Sequence, residues 1–513
     1  MIINFTHENQ LTVKRVYGQS MVDIGSICYD SRNVQKNTAF VCIRGELQDG
    51  HAYIKDALDK EASVIIGTDH TILSSMAANF PDRTFVVVKD AKAALARLSI
   101  TFYQHAYKNL TSIGVTGTNG KTTVVAYIYS LLNQIGISTG SIGTVGTLSS
   151  VGPLKIQQTT PTTPEAPEIH QIFHQFHYMK ERAAVMEVTS IAIEQKRVEG
   201  ILFDIGVHTN ITSEHLEFHK TFENYKRAKL KLFRQAKKAV VNLDDKGMAK
   251  DILRMYQGPL FTYSIDNHPK ADVIAANIRT RKEGTAFQLS INGVSSLVHT
   301  PVIGEYNISN LLAAICTAMH MGIPAKSILD ALPKIKGPKG RFQLVETPGN
   351  YRVLFDYAHT PDALRKLLAE VKKLDYRKLI LMVTGVGIRD ENKIPKMGEA
   401  ADGQADEYVI SVDHPGYKKP ADIVDGVLSG FSGTPHGRIT RTYTRAEGVT
   451  AALSLAEESD LIVLTGGCIN GCQMVKGKAL PHSDESIIED YFTRSINKAK
   501  YKIEPKAEKS PVL

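Results

Sequence analysis

Short apolar runs alternate with longer segments of helical periodicity along most of the chain. The runs have the length and the β-branched content of buried strands, and they lie at residues 39–43, 63–67, 84–88, 111–116, 184–188, 204–208, 239–243, 353–356, 379–383, 408–412 and 461–465. Helical periodicity is found between them. This alternation predicts an α/β fold in which helices cover parallel sheets.

Several helices can be placed from the pattern. The spacing predicts helices at 92–105 and 307–321, and a third after strand 111–116 that ends near Gly136. A fourth begins at Pro361 behind the N-cap Thr360. The apolar faces of the third and fourth helices are predicted to hold Val125, Ile128, Leu132 and Ile135, and Leu364, Leu367, Leu368 and Val371.

The length of 513 residues is too great for one hydrophobic core, and three α/β domains are the simplest division. We predict an N-terminal domain at 1–108, a central domain with a doubly wound parallel sheet at 109–337, and a Rossmann-like C-terminal domain at 338–496. Residues 334–341 are typical of a linker. The basic tail at 497–513 contains two prolines and is predicted to be disordered.

Composition and charge exclude several classes of protein. An apolar content of 43% and a charged content of 22% are typical of a soluble globular protein. The net charge of +8 comes without a basic stripe interleaved with aromatic residues, so we expect anionic small molecules and no nucleic acid. Signal-peptide features and 18-residue apolar runs are not found, which predicts a cytoplasmic protein without a membrane partner. The five cysteines form no disulfide framework, and the isolated pair Cys468 and Cys472 is not expected to bind a metal.

Residues 114–123 read Gly-Val-Thr-Gly-Thr-Asn-Gly-Lys-Thr-Thr and lie between a strand and a helix, as phosphate-binding loops do. Lys121 would reach the outer phosphates, and the hydroxyl of Thr122 would ligate Mg²⁺. The spacing is not the common Walker pattern, because Val115 occupies the position of its first glycine. A glycine turn without a ligand is the alternative, but a lysine at a helix N-terminus requires an anion. The phosphate-binding residues would be Gly117, Thr118, Asn119, Gly120, Lys121, Thr122 and Thr123.

Two further segments carry groups that bind hard cations. Glu187 lies at the end of a buried strand, and His215 and His219 follow the next strand along the chain. Groups at neighbouring strand ends can hold a cation close to the phosphate loop. The two histidines have the spacing of a zinc-binding helix, but Leu216 stands where zinc proteases have their catalytic glutamate, so zinc is not expected.

The phosphate loop and these two segments resemble the signatures of the Mur ligase family, whose members condense an amine with a carboxylate using ATP. Folylpolyglutamate synthetases share the loop. The segment from Tyr225 to Lys229 resembles the family's carbamylated-lysine motif, although Lys229 alone would be read as an exposed helix charge. The resemblance implies that Thr122, Glu187, His215 and carbamylated Lys229 bind Mg²⁺, and that Lys121, Lys229, His215 and Glu187 are catalytic. The sequence departs from the motifs at Thr189, Ile191, Glu214 and Glu217.

The resemblance also assigns ATP to the phosphate loop and supplies the remaining nucleotide contacts. Asn310, with Asn307, would lie near the adenine. Arg341, Asp356 and His359 would close onto ATP from the third domain. The alternative for Asp356 and His359 is a purely structural role, as a strand-end carboxylate and a turn histidine.

The segment Asp30-Ser31-Arg32 and the pair Thr162-Thr163 resemble one branch of the family, the MurE-type UDP-N-acetylmuramyl-tripeptide synthetases. Folylpolyglutamate synthetases lack this first domain. The resemblance implies that an amino acid is added, through an acyl phosphate, to UDP-N-acetylmuramoyl-L-alanyl-D-glutamate during peptidoglycan biosynthesis, a step in cell wall biogenesis, cell shape and cell division. The residues that bind this substrate would be Ser31, Thr162, Thr163, Thr189, Gln195 and Arg197.

The free amino acid is less well defined. The resemblance places Arg389 and Asp413 against it. Members of this branch that use meso-diaminopimelate carry an arginine and a glutamate where this chain has Gly416 and Asn470, and a buried charge without its partner is costly. The sequence therefore predicts an acceptor other than diaminopimelate.

Two other functions remain open at this level. The protein could be a related ligase that acts on another carboxylate outside cell-wall synthesis, which the altered third domain favours. It could also be an inactive paralogue that binds nucleotide, although the joint presence of Lys121, Glu187, His215 and Lys229 argues against that. A monomer is expected.

Overall fold

The computed structural model describes residues 1–6, 11–45, 48–156, 158–281, 283–388, 391–467 and 471–503. The chain divides into two compact units. One consists of Met1–Ala276, Gln288–Val298 and Ser309–Ile335, and the other of Asn277–Phe287, His299–Ile308 and Lys336–Leu513. The predicted N-terminal domain and most of the predicted central domain belong to the first unit, whereas residues 277–287 and 299–308 of the central domain belong to the second.

The N-terminal part of the first unit is a small α/β layer. Its strands are β1 Ile2–Asn4, β2 Val13–Tyr17, β3 Met21–Asp23, β4 Ser26–Cys28, β5 Thr38–Val41, β6 Val64–Gly67 and β7 Thr84–Val88, and its helices are α1 Ile54–Asp59, α2 His70–Asn79 and α3 Ala91–Phe102. The main sheet has the order β2-β7-β6-β5-β4, with β2 antiparallel to β7 and the other pairs parallel. Strands β5, β6 and β7 are buried at every position, as continuous apolar runs predict.

The central sheet is larger than the predicted one. Its strands are β8 Thr111–Thr116, β9 Thr139–Gly143, β10 Gly146–Ser149, β11 Gly152–Pro153, β12 Ala183–Glu187, β13 Phe203–His208, β14 Ala236–Asn242, β15 Leu260–Ser264, β16 Val273–Arg281, β17 Gly284–Ile291 and β18 Val294–Thr300. The sheet has 11 strands in the order β11-β10-β9-β12-β8-β13-β14-β15-β16-β17-β18. Strands β9 to β16 of this order pair in parallel, which confirms the doubly wound core.

The position of β8 decides where a ligand can bind. It lies between β12 and β13, to both of which it pairs in parallel, so the carboxyl ends of the three strands meet at one edge. Ligands of open α/β sheets bind at such an edge, where the strand order reverses. The phosphate loop, Glu187 and the segment after His208 all leave the sheet there.

Helices pack on both faces of the central sheet. They are α4 Lys121–Gln134, α5 Ala166–Tyr178, α6 Ser190–Glu194, α7 Leu216–His219, α8 Phe222–Arg234, α9 Ala249–Met255, α10 Glu305–His320 and α11 Ala325–Ala331. Helix α8 begins behind the N-cap Thr221, whose side chain accepts a hydrogen bond from the N–H of Asn224. Its buried face carries Tyr225, Lys229 and Leu232.

The second unit contains the predicted Rossmann-like domain. Its strands are β19 Gln343–Glu346, β20 Arg352–Asp356, β21 Leu379–Val386, β22 Glu407–Asp413, β23 Ile439–Arg441, β24 Leu461–Thr465, β25 Cys472–Val475 and β26 Lys478–Pro481, and its helices are α12 Pro361–Val371, α13 Lys393–Ala401, α14 Pro420–Leu428, α15 Arg445–Leu455 and α16 Asp484–Ile503. The sheet order is β19-β20-β24-β21-β22-β23, parallel except for β19.

Two details of the second unit compare directly with the sequence. Thr360 caps α12 with Pro361 in the first turn, and the predicted apolar face of that helix is buried. Helix α16 continues to Ile503, so the tail predicted to be disordered is helical at residues 497–503.

Candidate active site

The phosphate loop joins β8 to α4. Helix α4 begins directly after Gly120, which has a left-handed backbone with a φ of +86°. A side chain at Gly120 would collide with the Oδ1 atom of Asn310, and one at Gly117 would collide with the hydroxyl of Thr209. The two glycines are therefore required by close approach of neighbouring elements as well as by backbone geometry.

Lys121 lies back across this loop. Its Nζ atom donates hydrogen bonds to the carbonyl oxygens of Gly117 and Thr118, at 2.9 and 3.0 Å. The ammonium group is thus held at the mouth of the loop beside the first N–H groups of α4. Such a position suits a cation that binds phosphate oxygens.

Glu187 meets the loop from the end of β12. Its carboxylate is buried and accepts a hydrogen bond from the hydroxyl of Thr122 at 3.0 Å and another from the N–H of Thr144 at 2.7 Å. The structure therefore brings together two of the residues assigned to Mg²⁺. A buried carboxylate and a hydroxyl in contact are hard oxygen donors of the kind that Mg²⁺ prefers.

Lys229 is not an exposed helix charge, because it is only 1% exposed. Its Nζ atom donates a hydrogen bond to the carbonyl of Gly117 at 2.8 Å and lies 4.7 Å from the centre of the Tyr225 ring. Burial, reinforced by the positive charge of Lys121, holds the pKa of the Lys229 amine well below its usual range. The neutral amine is the reactive form of a lysine.

His215 stands at the start of α7 with a left-handed φ of +56°. Burial lowers the pKa of its imidazole, and the charge of Lys121 acts in the same direction, while the carboxylate of Glu214 opposes them. Its ring lies 6.1 Å from that of Tyr225. His215 thus joins the group around Lys229, while the imidazole of His219 instead bonds the hydroxyl of Ser190 at 2.9 Å.

Three residues assigned to the UDP-linked substrate surround Glu187. The hydroxyl of Thr163 donates to the carbonyl oxygen of Glu187 at 2.9 Å and lies 3.2 Å from that of Thr189. Thr162 has a left-handed φ of +69°, and its hydroxyl bonds that of Thr144 at 3.0 Å. The loop that contains Thr162 and Thr163, called the 160s loop below, is therefore fixed against the same strand end as the candidate metal ligands.

Arg197 is held next to this loop by an ion pair. Its Nε atom lies 2.7 Å from the carboxylate of Glu165, and its Nη1 atom donates to the carbonyl of Thr163 at 3.0 Å. Burial raises the pKa of Glu165, which Arg197 partly offsets. The nearby Gln195 accepts a hydrogen bond from Lys92 of the N-terminal domain. Arg197 is thereby oriented beside this loop.

Ser31 lies in a short turn of the N-terminal domain, next to a polar contact with the central domain. The hydroxyl of Tyr29 is 2.6 Å from that of Thr159, which in turn donates to the buried carboxylate of Glu168 at 2.6 Å. This contact places the Ser31 turn on the side of the central domain that carries the 160s loop.

In the second unit, Arg341, Asp356 and His359 are close together. The carboxylate of Asp356 accepts hydrogen bonds from the N–H groups of Phe342 and Ala358, both at 2.9 Å, and burial raises its pKa. The guanidinium of Arg341 stacks 4.6 Å from the centre of the Tyr357 ring, and its buried Nε atom has no hydrogen-bond partner within the described part of the chain. That these three residues contact ATP stays a prediction.

The predicted acceptor residues are only partly visible. Arg389 and Asn470 lie outside the described residues. Asp413 ends β22 as a buried carboxylate and accepts a hydrogen bond from the N–H of Gly467 at 3.1 Å. Despite burial, the charge of Arg445 holds the pKa of Asp413 below its usual value. Gly416 has a φ of +62°, and a side chain there would approach Ile388 to 2.6 Å.

Several residues of the site had not been assigned from the sequence. Tyr225 shares a helix face with Lys229 because it lies four positions earlier, and its hydroxyl bonds that of Thr118 at 2.9 Å. Thr209 and Asn210 bind the phosphate loop, with 2.6 and 3.0 Å hydrogen bonds to the carbonyl of Asn119. The helical spacing was a usable signal for Tyr225.

Within the described ranges, no group of three or more His, Cys, Asp or Glu side chains is arranged to hold a metal ion. A Mg²⁺ site built from Thr122, Glu187 and ligands of other kinds agrees with this finding. None of the described helices is long and apolar enough to cross a membrane.

Comparisons with known proteins identify the family of the chain. The Mur ligase family catalytic domain matches residues 23–103, the Mur ligase middle domain residues 115–318, and the Mur ligase glutamate ligase domain residues 340–468. These three matches follow the order of the three predicted domains.

Full-length relatives support the assignment. The chain is 34% identical over 481 residues to UDP-N-acetylmuramoyl-L-alanyl-D-glutamate–2,6-diaminopimelate ligase of Caldanaerobacter subterraneus subsp. tengcongensis, covering 94% of this chain and 97% of the relative. It is 35% identical over 475 residues to the ligase of the same name from Clostridium tetani, covering 92% and 96%. A solved structure of a ligase with this name superposes with a TM-score of 0.67 at 26% identity, covering 97% of this chain and 100% of the other. The chain belongs to the Mur ligase family.

Proposed function

We propose that the protein is an ATP-dependent ligase that joins an amino acid to the D-glutamate of UDP-N-acetylmuramoyl-L-alanyl-D-glutamate, a step of peptidoglycan precursor synthesis. The observation that carries this proposal is the buried Lys229 amine, 2.8 Å from the carbonyl of Gly117 in a phosphate loop whose Thr122 contacts Glu187. The names of the full-length relatives support the choice of the UDP-linked substrate.

The donors at this site fit Mg²⁺. Thr122, Glu187, His215 and Lys229 as its carbamate would hold the ion, which supplies neutralisation of the negative charge that develops during phosphoryl transfer. Lys121 adds a fixed positive charge at the mouth of the loop. Without carbamylation, Lys121 and Lys229 would place two amines and few anions beside the phosphates.

Carbamylation of Lys229 is favoured by its surroundings. The neutral amine attacks CO₂, a nitrogen–carbon bond forms and a proton leaves to solvent, so that an anion replaces the amine. Because burial already suppresses protonation of Lys229, little free energy is needed to reach the reactive form. The product would place a carboxylate next to Gly117 and within the group around His215.

The reaction follows from how these residues hold two anions. An oxygen of the D-glutamate γ-carboxylate attacks the γ-phosphorus, the bond from phosphorus to the departing ADP oxygen breaks, and an acyl phosphate forms. Lys121 and the loop N–H groups stabilise the transferred phosphoryl group, while Arg197 orients a carboxylate of the substrate. The amine of the incoming amino acid then attacks the carbonyl carbon, phosphate leaves, and a proton is lost from the nitrogen.

For the acceptor amino acid, the relatives' names give no support to the sequence-based expectation that diaminopimelate is excluded. That expectation depended on Gly416 and Asn470 in place of an arginine and a glutamate, but Lys419 follows Gly416 in the sequence, and another cation can bind a distal carboxylate. We therefore place meso-diaminopimelate first among the acceptors to be tested.

The test is phosphate release by the purified protein with ATP, Mg²⁺ and UDP-N-acetylmuramoyl-L-alanyl-D-glutamate. Each of meso-diaminopimelate, L-lysine, L-ornithine and the remaining common amino acids is added in turn, and the product is identified by mass. We expect phosphate release and a new amide with at least one amino acid. Release with none of them would contradict the proposal. Gel filtration with light scattering tests the expected monomer.

A further inference from the structure

The phosphate loop is bound by the dipeptide Thr209–Asn210, which directly follows β13. The hydroxyl of Thr209 donates to the carbonyl of Asn119 at 2.6 Å, and the carbonyl of Asn210 accepts from the N–H of Thr118 at 2.8 Å. Asn210 also exchanges hydrogen bonds with both backbone groups of Asn119, at 3.0 Å each. Any shift of this dipeptide therefore moves the loop.

The backbone on both sides of the dipeptide is held by one carboxylate. Asp245 accepts a hydrogen bond from the imidazole of His208 at 2.8 Å and another from the N–H of Ile211 at 3.1 Å. His208 is fully buried, and the side chain of Asp245 is 5% exposed. One side chain thus binds the residue before the dipeptide and the residue after it.

Two further side chains complete this support from behind. Asn242 donates to the carbonyl of Thr209 at 2.8 Å, and the hydroxyl of Tyr263 donates to the carbonyl of His208 at 3.2 Å. Asp245 itself is fixed by the N–H of Met248 at 2.8 Å. None of these three hydrogen bonds involves a residue of the phosphate loop.

We propose that Asp245, through His208 and the dipeptide Thr209–Asn210, is a positioning residue that fixes the phosphate loop for nucleotide binding. The inference rests on the proposed function only for the identity of the nucleotide. A buried pair of hydrogen-bonded polar side chains is weak evidence for stability, because the cost of desolvating the two groups opposes the attraction between them. A role in holding a binding loop in place would instead require such a pair at this position.

The test compares Asp245→Asn with the matched variant Asp272→Asn. Asp272 accepts hydrogen bonds from the N–H and hydroxyl of Thr262, at 2.8 and 2.7 Å, in the same sheet but without a bond to the dipeptide. The dissociation constant of ADP with Mg²⁺ is measured by calorimetry, and KM for ATP and for the UDP-linked dipeptide by phosphate release.

We expect Asp245→Asn to raise the dissociation constant of ADP and KM for ATP about tenfold, as loss of an outer support does at other binding sites. KM for the UDP-linked dipeptide should stay unchanged. Asp272→Asn should lower the melting temperature and leave ADP binding as in the wild type. Wild-type ADP affinity in Asp245→Asn, or equal weakening in both variants, would overturn the inference.

A second variant covers the case in which Asp245→Asn does not fold. His208→Gln keeps an N–H donor but alters its reach, and it should weaken ADP binding in the same direction. Unchanged binding in a folded His208→Gln would equally refute the proposal. Failure of the proposed function is distinguishable, because the wild type would then bind ADP but release no phosphate with any acceptor.

Discussion

The amine of Lys229 lies 2.8 Å from the carbonyl oxygen of Gly117, and this hydrogen bond links helix α8 to the phosphate loop. The contact places a buried amine against the phosphate loop. A lysine of lowered pKa at such a place is unfavourable for stability and favourable for chemistry, because its neutral form is reactive.

The first prediction concerns Lys229→Met. Removing a buried amine should raise the melting temperature, since an apolar side chain of similar length carries no desolvation cost. Phosphate release should fall about 100-fold or more, as expected when a group that stabilises the transferred charge is lost. Calorimetry and a phosphate assay measure the two effects, and the wild type incubated with ¹³C-bicarbonate should show a carbamate signal in the NMR spectrum that the variant lacks. An active Lys229→Met enzyme would be incompatible with the proposed role.

Stability of the wild type should also respond to pH through this residue. Because the pKa of Lys229 is lowered in the folded protein, the unfolded chain binds an additional proton below the usual lysine pKa. Unfolding is therefore favoured as the pH falls across the window between the two values, and raising the pH through that window stabilises the fold. Urea unfolding at several pH values should show this slope in the wild type and a smaller slope in Lys229→Met.

The second prediction concerns Glu187→Gln. This change keeps the shape of the side chain but removes the charge that faces Thr122. We expect the Mg²⁺ concentration for half-maximal phosphate release to rise about tenfold or more, since a neutral amide is a poorer ligand for a hard cation. Glu181→Gln serves as the control, because Glu181 is also buried but bonds Ser150 instead. An identical Mg²⁺ dependence of the two variants would remove Glu187 from the metal site.

The third prediction concerns Arg197→Lys. The planar guanidinium of an arginine can bind Glu165 and an anion at the same time. A lysine ammonium lacks this planar geometry. KM for the UDP-linked dipeptide should rise about tenfold, since a hydrogen bond between charged groups contributes about 1.5 kcal/mol or more. KM for ATP should not change. Arg97→Lys is the matched control, since Arg97 forms a similar ion pair with Glu199; a rise of KM there of equal size would indicate a general effect of domain packing.

The fourth prediction concerns the buried pair Arg445–Asp484 of the second unit. Arg445 contacts the carboxylate of Asp484 at 2.6 Å. Burial alone would raise the pKa of Asp484, but the charge of Arg445 holds this pKa at about 2. The unfolded value is higher, so this carboxylate stabilises the fold by about 2 kcal/mol above pH 4, and the contribution is lost as the pH falls through about 2. In urea unfolding, Asp484→Asn should be less stable than the wild type at pH 7, and the difference should shrink at low pH. A difference that is constant with pH would exclude the ionised pair as its source.

Two parts of the site show what can and what cannot be predicted from the sequence. The strand–loop–helix pattern and the glycine spacing predicted the phosphate loop, and the structure has β8 and α4 where the pattern put them. By contrast, Lys229 was indistinguishable from a solvated helix charge until its resemblance to a motif was considered. Its burial depends on α8 lying against the loop, which is a long-range contact.

The strands of the central sheet likewise divide into those that were predicted from the sequence and those that were missed. The buried strands β8, β12, β13 and β14 were predicted, because each is a continuous apolar run. Strands β16 to β18 were missed, since their exposed faces interrupt the apolar pattern with polar residues. The predicted acceptor chemistry is not supported by the relatives, because the two side chains missing at Gly416 and Asn470 do not by themselves determine the charge of a pocket.

The sequence by itself determined the α/β class, the phosphate loop and the family, because these depend on local periodicity and on motifs read along the chain. The tertiary structure alone decided that Thr122 contacts Glu187, that Lys229 is buried beside Gly117, and that Asp245 holds the strand end behind the loop. Each of these contacts joins residues far apart in the chain. Their geometry and the resulting pKa shifts are set by packing, which is not encoded in any local pattern of residues.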